Sequence, residues 1–454
     1  MAQPLLESGY MICAKISPLF RCAVVVLALW PAASKAAGLY ANGQTARAAA
    51  LGGIDATGGT SPLDCFATNP AGLAAFNRPV AGLSIGFVQA RGTFRNSAND
   101  GASLLESGIK PGLALALPLG TSGFTLGLGF VPDIALRDHW DYVDAPGGAD
   151  GGMSYGKRTH ESEITALRTA AGIAWQATPT LSLGVSVGAV YNENHLRAPY
   201  TFQNQATLRS VKTLLDLNTY GLGWGVQAGL RWKPSDKLTL GLAYRSEVRI
   251  ESDGSARGDA RRQLDRLGLG AARSDFAYDA SVNNTLPSIA SLGAEWQATP
   301  KLRIAGQVDW IGWARTFDTL VVGLKNGNNR DLNGLTSTRD LHDEIPLDWR
   351  DQWVFRLGLE YALTADWMFR AGYSYAASPV PSATLTPLTA AIAEHTLGLG
   401  VGYTSGPWTW DLAAQWELPH TQEVGDSRLL SGEYSRSSVR LSTWSLGVST
   451  RHEF

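Results

Sequence analysis

The chain has 454 residues, with 38 Lys and Arg against 40 Asp and Glu for a formal net charge of −2. No basic surplus is offered to nucleic acid, and three Cys exclude a disulfide framework or a Cys-based metal centre. With 50 Gly and 44% hydrophobic residues but a single continuous apolar run, the composition favours one extended β architecture over several ordinary domains.

That run lies at the N-terminus. Lys15 and Arg21 precede apolar residues from Cys22 to Leu29, continuing through Trp30. Ser34-Lys35-Ala36 places small residues at −3 and −1 of a cut before Ala37, the form of a secretory signal peptide over 1–36, starting at Met1 or Met11. About 12 apolar residues are too few for a spanning helix. Cys13 and Cys22 leave with the leader, so Cys65 stands alone.

Residues 37–79 are rich in Ala and Gly, lack long alternation and contain Asn69-Pro70-Ala71. From residue 80 onward a turn unit recurs. Trp175, Trp232, Trp296 and Tyr361 are each followed by a few turn residues, then by apolar residues at +6 and +8. These are short hairpin turns, and 119–124 and 404–408 are two more. Longer connections fall near 92–110, 137–162, 197–219, 251–287, 324–348, 378–394 and 419–439.

The six short turns and seven long connections join 14 strands, ending in 440–454 with Phe454 as the last residue. An even strand count with short turns on one side and long loops on the other predicts an all-β fold: an antiparallel transmembrane β-barrel of the bacterial outer membrane. The turn aromatics Trp175, Trp232, Trp296, Tyr361, Trp367 and Trp408 would form a periplasmic girdle. A barrel this wide is not filled by its own side chains. Residues 37–79 are therefore expected inside it as a plug of short helices, the alternative being a disordered periplasmic tail.

Alternation assigns sides. Leu181, Leu183, Val185, Val187 and Tyr191 face lipid, against inward Ser182, Gly184, Ser186 and Gly188. The same parity turns Arg168, Arg231, Arg245, Arg356 and Arg370 inward, because Arg on the lipid face at mid-bilayer costs roughly 2–4 kcal/mol. These Arg residues either pair with inward acids and the plug, or meet a substrate carboxylate. Pro132, within Phe130-Val131-Pro132-Asp133, lacks the N–H a ladder needs. It marks either a break in pairing or a strand end.

Gly82-Leu-Ser84-Ile-Gly86 and Gly184-Val-Ser186-Val-Gly188 match a hydrolase pattern, but that chemistry needs a strand-to-helix elbow and both lie in alternating strands. The seven His show no metal spacing. No enzyme, metal or cofactor is expected.

Taken in order, these motifs resemble the FadL family (OMPP1/FadL/TodX) of outer-membrane transporters for long-chain fatty acids and other hydrophobic compounds. The residues that carry the likeness are Ala37-Gly38-Leu39 at the mature start, Asn69-Pro70-Ala71, Trp224-Gly225 and Tyr244-Arg245-Ser246-Glu247-Val248. Farther on come Trp310-Ile-Gly-Trp313 with Phe317, then Trp349-Arg-Asp351-Gln-Trp353 through Ser378-Pro379-Val380-Pro381. The resemblance implies a 14-stranded barrel over 80–454, a plug over 37–79, and a kinked third strand that opens the wall sideways at Phe130–Asp133.

The function expected is passive uptake of hydrophobic molecules, long-chain fatty acids first, with aromatic hydrocarbons by the same route or a general diffusion porin as alternatives. Leu214, Leu215 and Leu217 in the third long loop would capture the solute. Leu39 and Tyr40 would line a pocket against the plug. The other partners expected are outer-membrane lipid, lipopolysaccharide and the barrel assembly machinery, with the chain a monomer.

Overall fold

From Val80 onward the alternation of apolar with small or polar residues gives strand after strand, because one lateral face meets lipid and the other the lumen. A computed structural model describes residues 39–40, 42–269 and 275–454; the expected leader lies outside the described residues. The strands are β1 (Val80–Asn96), β2 (Asn99–Pro118), β3 (Phe124–Asp144), β4 (Gly156–Thr178), β5 (Leu181–Thr201), β6 (Lys212–Ser235), β7 (Leu238–Arg245), β8 (Val248–Asp259) and β9 (Asp275–Leu286). They continue as β10 (Ile289–Gln297), β11 (Leu302–Ile311), β12 (Thr319–Lys325), β13 (Leu341–Pro346), β14 (Gln352–Ala362), β15 (Trp367–Ala376), β16 (His395–Ser405), β17 (Trp408–Val424) and β18 (Ser437–Glu453). All belong to one antiparallel sheet, closed where β1 pairs with β18 as well as with β2.

The 18 segments make a barrel of 14 wall strands, because β7 continues as β8, β9 as β10, β11 as β12 and β13 as β14. The four interruptions lie in adjacent strands. At the third of them, between β11 and β12, the strand is broken by a helical turn, Trp313–Thr316. This break and the one between β13 and β14 turn Trp313 and Trp349 into the interior, where they pack with Phe317 at ring-centroid distances of 4.8–5.1 Å.

The sides fall as alternation requires. Leu183, Val185 and Val187 are exposed to the membrane side, while Ser182 and Ser186 are buried. The aromatic residues of the short turns are exposed as well. Both Gly-x-Ser-x-Gly stretches run within β1 and β5 with no elbow.

Most of the expected long connections are shorter than expected, because the strands run on into them, as β8 and β9 do within 251–287. Residues 92–110 are not a long loop: β1 and β2 extend through them to a tight turn between Asn96 and Asn99. Beyond the hydrocarbon the outer face carries Arg91, Thr93 and Arg95, so hydropathy stops alternating although the ladder continues. Likewise Leu214, Leu215 and Leu217 are not in a loop but on β6, paired on both edges with β5 and β8.

The described residues before Val80 pack against the inward side of the wall strands. Helix α1 (Ala46–Ala50) lies on β15 to β18, α2 (Pro62–Ala67) on β1 to β3, and a 3-10 helix (Pro70–Ala75) on β3 to β6. Each begins on a side-chain cap, from Thr45, Ser61 and Asn69 in turn. Inward glycines let these short helices touch the wall. A Cβ at Gly372 would lie 2.1 Å from the Leu51 carbonyl carbon, and one at Gly184 2.4 Å from Ala71 N.

Candidate functional site

Apolar side chains on the upper, inward faces of the interrupted strands and their neighbours line a cavity of about 190 Å³. Leu215 and Leu217 reach it from β6, Leu196 from β5, and Phe317, Trp349 and Leu39 from below. Among the described residues, no Lys or Arg lines it. One of its acids, Asp343, is saturated. Its carboxylate accepts from the backbone N–H of Gln203 at 2.9 Å, Asn204 at 2.6 Å and Gln205 at 2.9 Å, and from the Tyr200 hydroxyl. Its role is to tie the 202–211 connection to β13.

The 425–436 connection covers the cavity with Leu429 and Tyr434. Beside them, Glu433 is buried 3.7 Å from His160 Nε2, and the His160 ring stacks on Tyr142 at 3.6 Å. Burial, with Asp144 nearby, pushes the Glu433 carboxyl up to about 8, which favours its uncharged form.

A second, polar cavity of about 60 Å³ lies between the N-terminal segment and the wall, lined by Tyr40, Asp133, Arg245, Asp309 and Arg356 among others. Tyr40 joins the two regions: its ring is 5.6 Å from Trp313 and under the Arg245 guanidinium. Each of the five inward Arg residues has a protein partner. Arg168 and Arg245 share Asp133 Oδ1 at 2.9 and 3.0 Å, and Arg245 also donates to Ala67 O. Arg231 donates to Thr57 O at 2.9 Å. Arg356 pairs with Asp309 at 2.9 Å and donates to Gly52 O and Asn42 Oδ1. Arg370 pairs with Glu360 at 2.7 Å and Asp411 at 2.6 Å. Sequence reasoning passed over a sixth, Arg47 on α1, which grips Glu360 through two parallel bonds of 2.9 Å and reaches Glu295 at 3.0 Å.

Near these charges the wall comes apart. β2 and β3 pair only from Leu113↔Phe130 to Pro118↔Thr125. At Pro132 the β3–β4 ladder shifts register, and Asp133 is the bulged residue. Above it the freed edge of β3 meets the N-terminal segment instead of β2. Tyr40 forms a bridge with Ile134, Gln44 Nε2 donates to Pro132 O at 2.7 Å, and Lys110 of β2 donates to Gly43 O. Asn69 holds the rest of that segment by donating to Ala56 O at 2.6 Å and Leu230 O at 3.0 Å, while Pro70 and Ala71 rest on Gly184.

Residues 27–454 match the family model described as outer membrane protein transport protein (OMPP1/FadL/TodX). The chain belongs to this family. Outer membrane protein P1 of Haemophilus influenzae is 23% identical over 295 residues, which is 55% of this chain and 60% of that protein, so the match spans about three-fifths of the relative's length. A Pseudomonas aeruginosa FadL homologue superimposes with a TM-score of 0.74 at 19% identity, covering 92% of this chain and all of the other. The Pseudomonas putida toluene transporter TodX gives 0.71 at 20% identity over 92% of this chain and 99% of its own. At such identities the likeness establishes the fold alone.

As an OMPP1/FadL/TodX member the protein is a barrel of the outer membrane. Within it the sequence-selected residues divide among three places. Leu39, Leu215 and Leu217 meet at the apolar cavity. Tyr40 and Phe130–Asp133 lie at the unpaired seam, with Arg168 and Arg245 behind them. Arg231 and Arg370 sit lower on the wall, against the N-terminal segment and other wall residues.

Proposed function

We propose that the protein carries uncharged hydrophobic compounds passively through the outer membrane, with residues 37–79 as a plug and the seam at Phe130–Asp133 as a sideways exit. The apolar cavity supports this reading most directly, since it offers bulk apolar contact and, among the described residues, no Lys or Arg. A fatty-acid carboxylate placed there would lose water and meet no Lys or Arg, only His195, which already faces Asp216 at 3.6 Å; that costs several kcal/mol. The inward Arg residues, each with partners in the protein, do not supply one readily. An aromatic hydrocarbon therefore suits the cavity better than a long-chain fatty acid. A general diffusion porin fits poorly with an N-terminal segment packed on nearly every wall strand.

The test is uptake by cells lacking the gene and complemented with it, using radiolabelled toluene and oleate, beside single-channel conductance of the purified protein. Toluene uptake should rise above the deletion strain while oleate uptake does not, and conductance should stay near background. Oleate entering faster than toluene would overturn the uncharged-substrate reading. A large steady conductance would overturn the plug.

A further inference from the structure

We propose that Glu106, Arg137, His139 and Glu163 form an ionic latch across the open seam, fixing the upper edge of the exit and hence the size of molecule that leaves by it. This rests on the sideways exit proposed above.

The seam has a lower end, an upper end and a middle. The lower end is the last backbone pair, Leu113↔Phe130. At the upper end the Asn99 side chain donates to Val143 O and accepts from Val143 N–H, both at 2.8 Å, replacing a ladder with one residue. Between them β2 and β3 share no ladder. Among the described residues, the polar contact across this stretch is made by Glu106. Its Oε1 lies 2.8 Å from His139 Nδ1, and its Oε2 is 4.0 Å from Arg137 Nε. Glu163 of β4 completes the group, 3.2 Å from His139 Nε2 and 3.1 Å from Arg137 Nε.

The parity of these residues is informative. Glu106 shares the inward side of β2 with the buried Leu104 and Ala114, whereas His139 shares the outward side of β3 with the exposed Asp141. An inward residue meeting an outward one means that the upper part of β3 passes behind β2 instead of beside it. The charged groups fill the overlap and are mostly shielded, with Glu106 and Glu163 side chains 16% and 14% exposed. His139 faces a carboxylate with each ring nitrogen, so both nitrogens donate and the ring is an imidazolium. Two carboxylates thus face two cations.

Ordinary surface ion pairs hold little, because water screens them and two long side chains must be held in place. Here the carboxylates are mostly shielded and no backbone pairing links the two strands. A side-chain link is strong enough to set the rest position of β3 and weak enough to part when a molecule pushes through. The opening below it runs over residues 107–112 of β2, next to Val131 and Pro132.

The experiment uses whole cells with intact lipopolysaccharide and two probes, toluene and the bulkier N-phenyl-1-naphthylamine. Glu106→Gln should raise entry of the bulky probe relative to toluene severalfold. Spin labels at Ser103 and Asp141 in nanodisc-embedded protein should move apart. The swap Glu106→Arg with His139→Glu should restore both readings. Unchanged entry ratio and label distance in folded Glu106→Gln would overturn the latch, and His139→Asn provides the same test if that variant does not assemble. Bridging Ile109→Cys to Ala135→Cys separates the two ideas. If the bridge leaves toluene uptake intact, the sideways exit itself fails; if it blocks uptake while Glu106→Gln changes nothing, the latch alone fails.

Discussion

Replacing Arg47 with Met should destabilise the folded protein by roughly 3–5 kcal/mol, the usual result of removing one partner from a buried ion pair. The guanidinium is 4% exposed and meets Glu360 and Glu295, which are 3% and 11% exposed. Without it Glu295 keeps the Thr57 hydroxyl and a 3.8 Å approach from Arg303, while Glu360 keeps Arg303 and Arg370. A net negative charge is then left in the lumen beside α1. Unfolding in denaturant, followed by loss of heat-modifiable mobility, should move to lower concentration, and single-channel recordings should show openings that the parent lacks. Arg303→Met is the control: at 37% exposure its own pairs are worth about 0–1 kcal/mol. Equal midpoints for Arg47→Met and the parent would mean that α1 is held by packing against the glycines of β15 and β16 and not by this charge.

Bridging Ile109→Cys to Ala135→Cys with a cleavable bifunctional thiol reagent should bring uptake of hydrophobic probe down to the level of the deletion strain. Both positions lie beyond the last β2–β3 backbone pair, one on each side of the seam. The bridge closes a path without touching the apolar cavity, so detergent-solubilised protein should still bind toluene. Reductant should restore uptake. The native Cys65 is buried and stays out of reach of the reagent. Undiminished uptake with the bridge fully formed would move the exit from the wall to a route past the N-terminal segment.

The membrane-crossing part of this fold was legible in the sequence because lipid imposes a strict period of two, as in Leu181 to Tyr191. The same signal fades above the hydrocarbon, where both faces of a strand can be polar. That is why the β1–β2 hairpin read as a long loop, and why Leu214, Leu215 and Leu217 were expected in a connection and not on β6. The missing N–H of Pro132 left a break in pairing and a strand end equally open. Its consequences could not be read: the bulge at Asp133 depends on the register with Ala166 and Leu167 of β4, and the bridge from Tyr40 to Ile134 on residues about a hundred positions apart meeting in space. Arg47 went unnoticed for a similar reason. It stands among alanines in a five-residue helix, and only the wall supplies its carboxylates.

The N-terminal segment also carries a consequence for how the chain folds. Ala46 N–H is bonded to Ser449 Oγ across 403 positions, the Ala49 carbonyl to Gln415 across 366, and Arg47 to Glu360 across 313. Helices of five or six residues do not persist alone in water, since nucleation is costly and the first turn is barely repaid. Contacts this distant also form slowly, because their loop entropy is lost before any bond is gained. Residues made early in synthesis are thus placed late, after β15 to β18 have formed a surface to receive them. In the interval an Ala- and Gly-rich stretch and the inner face of the wall stay open to wrong partners, the condition under which large β proteins aggregate.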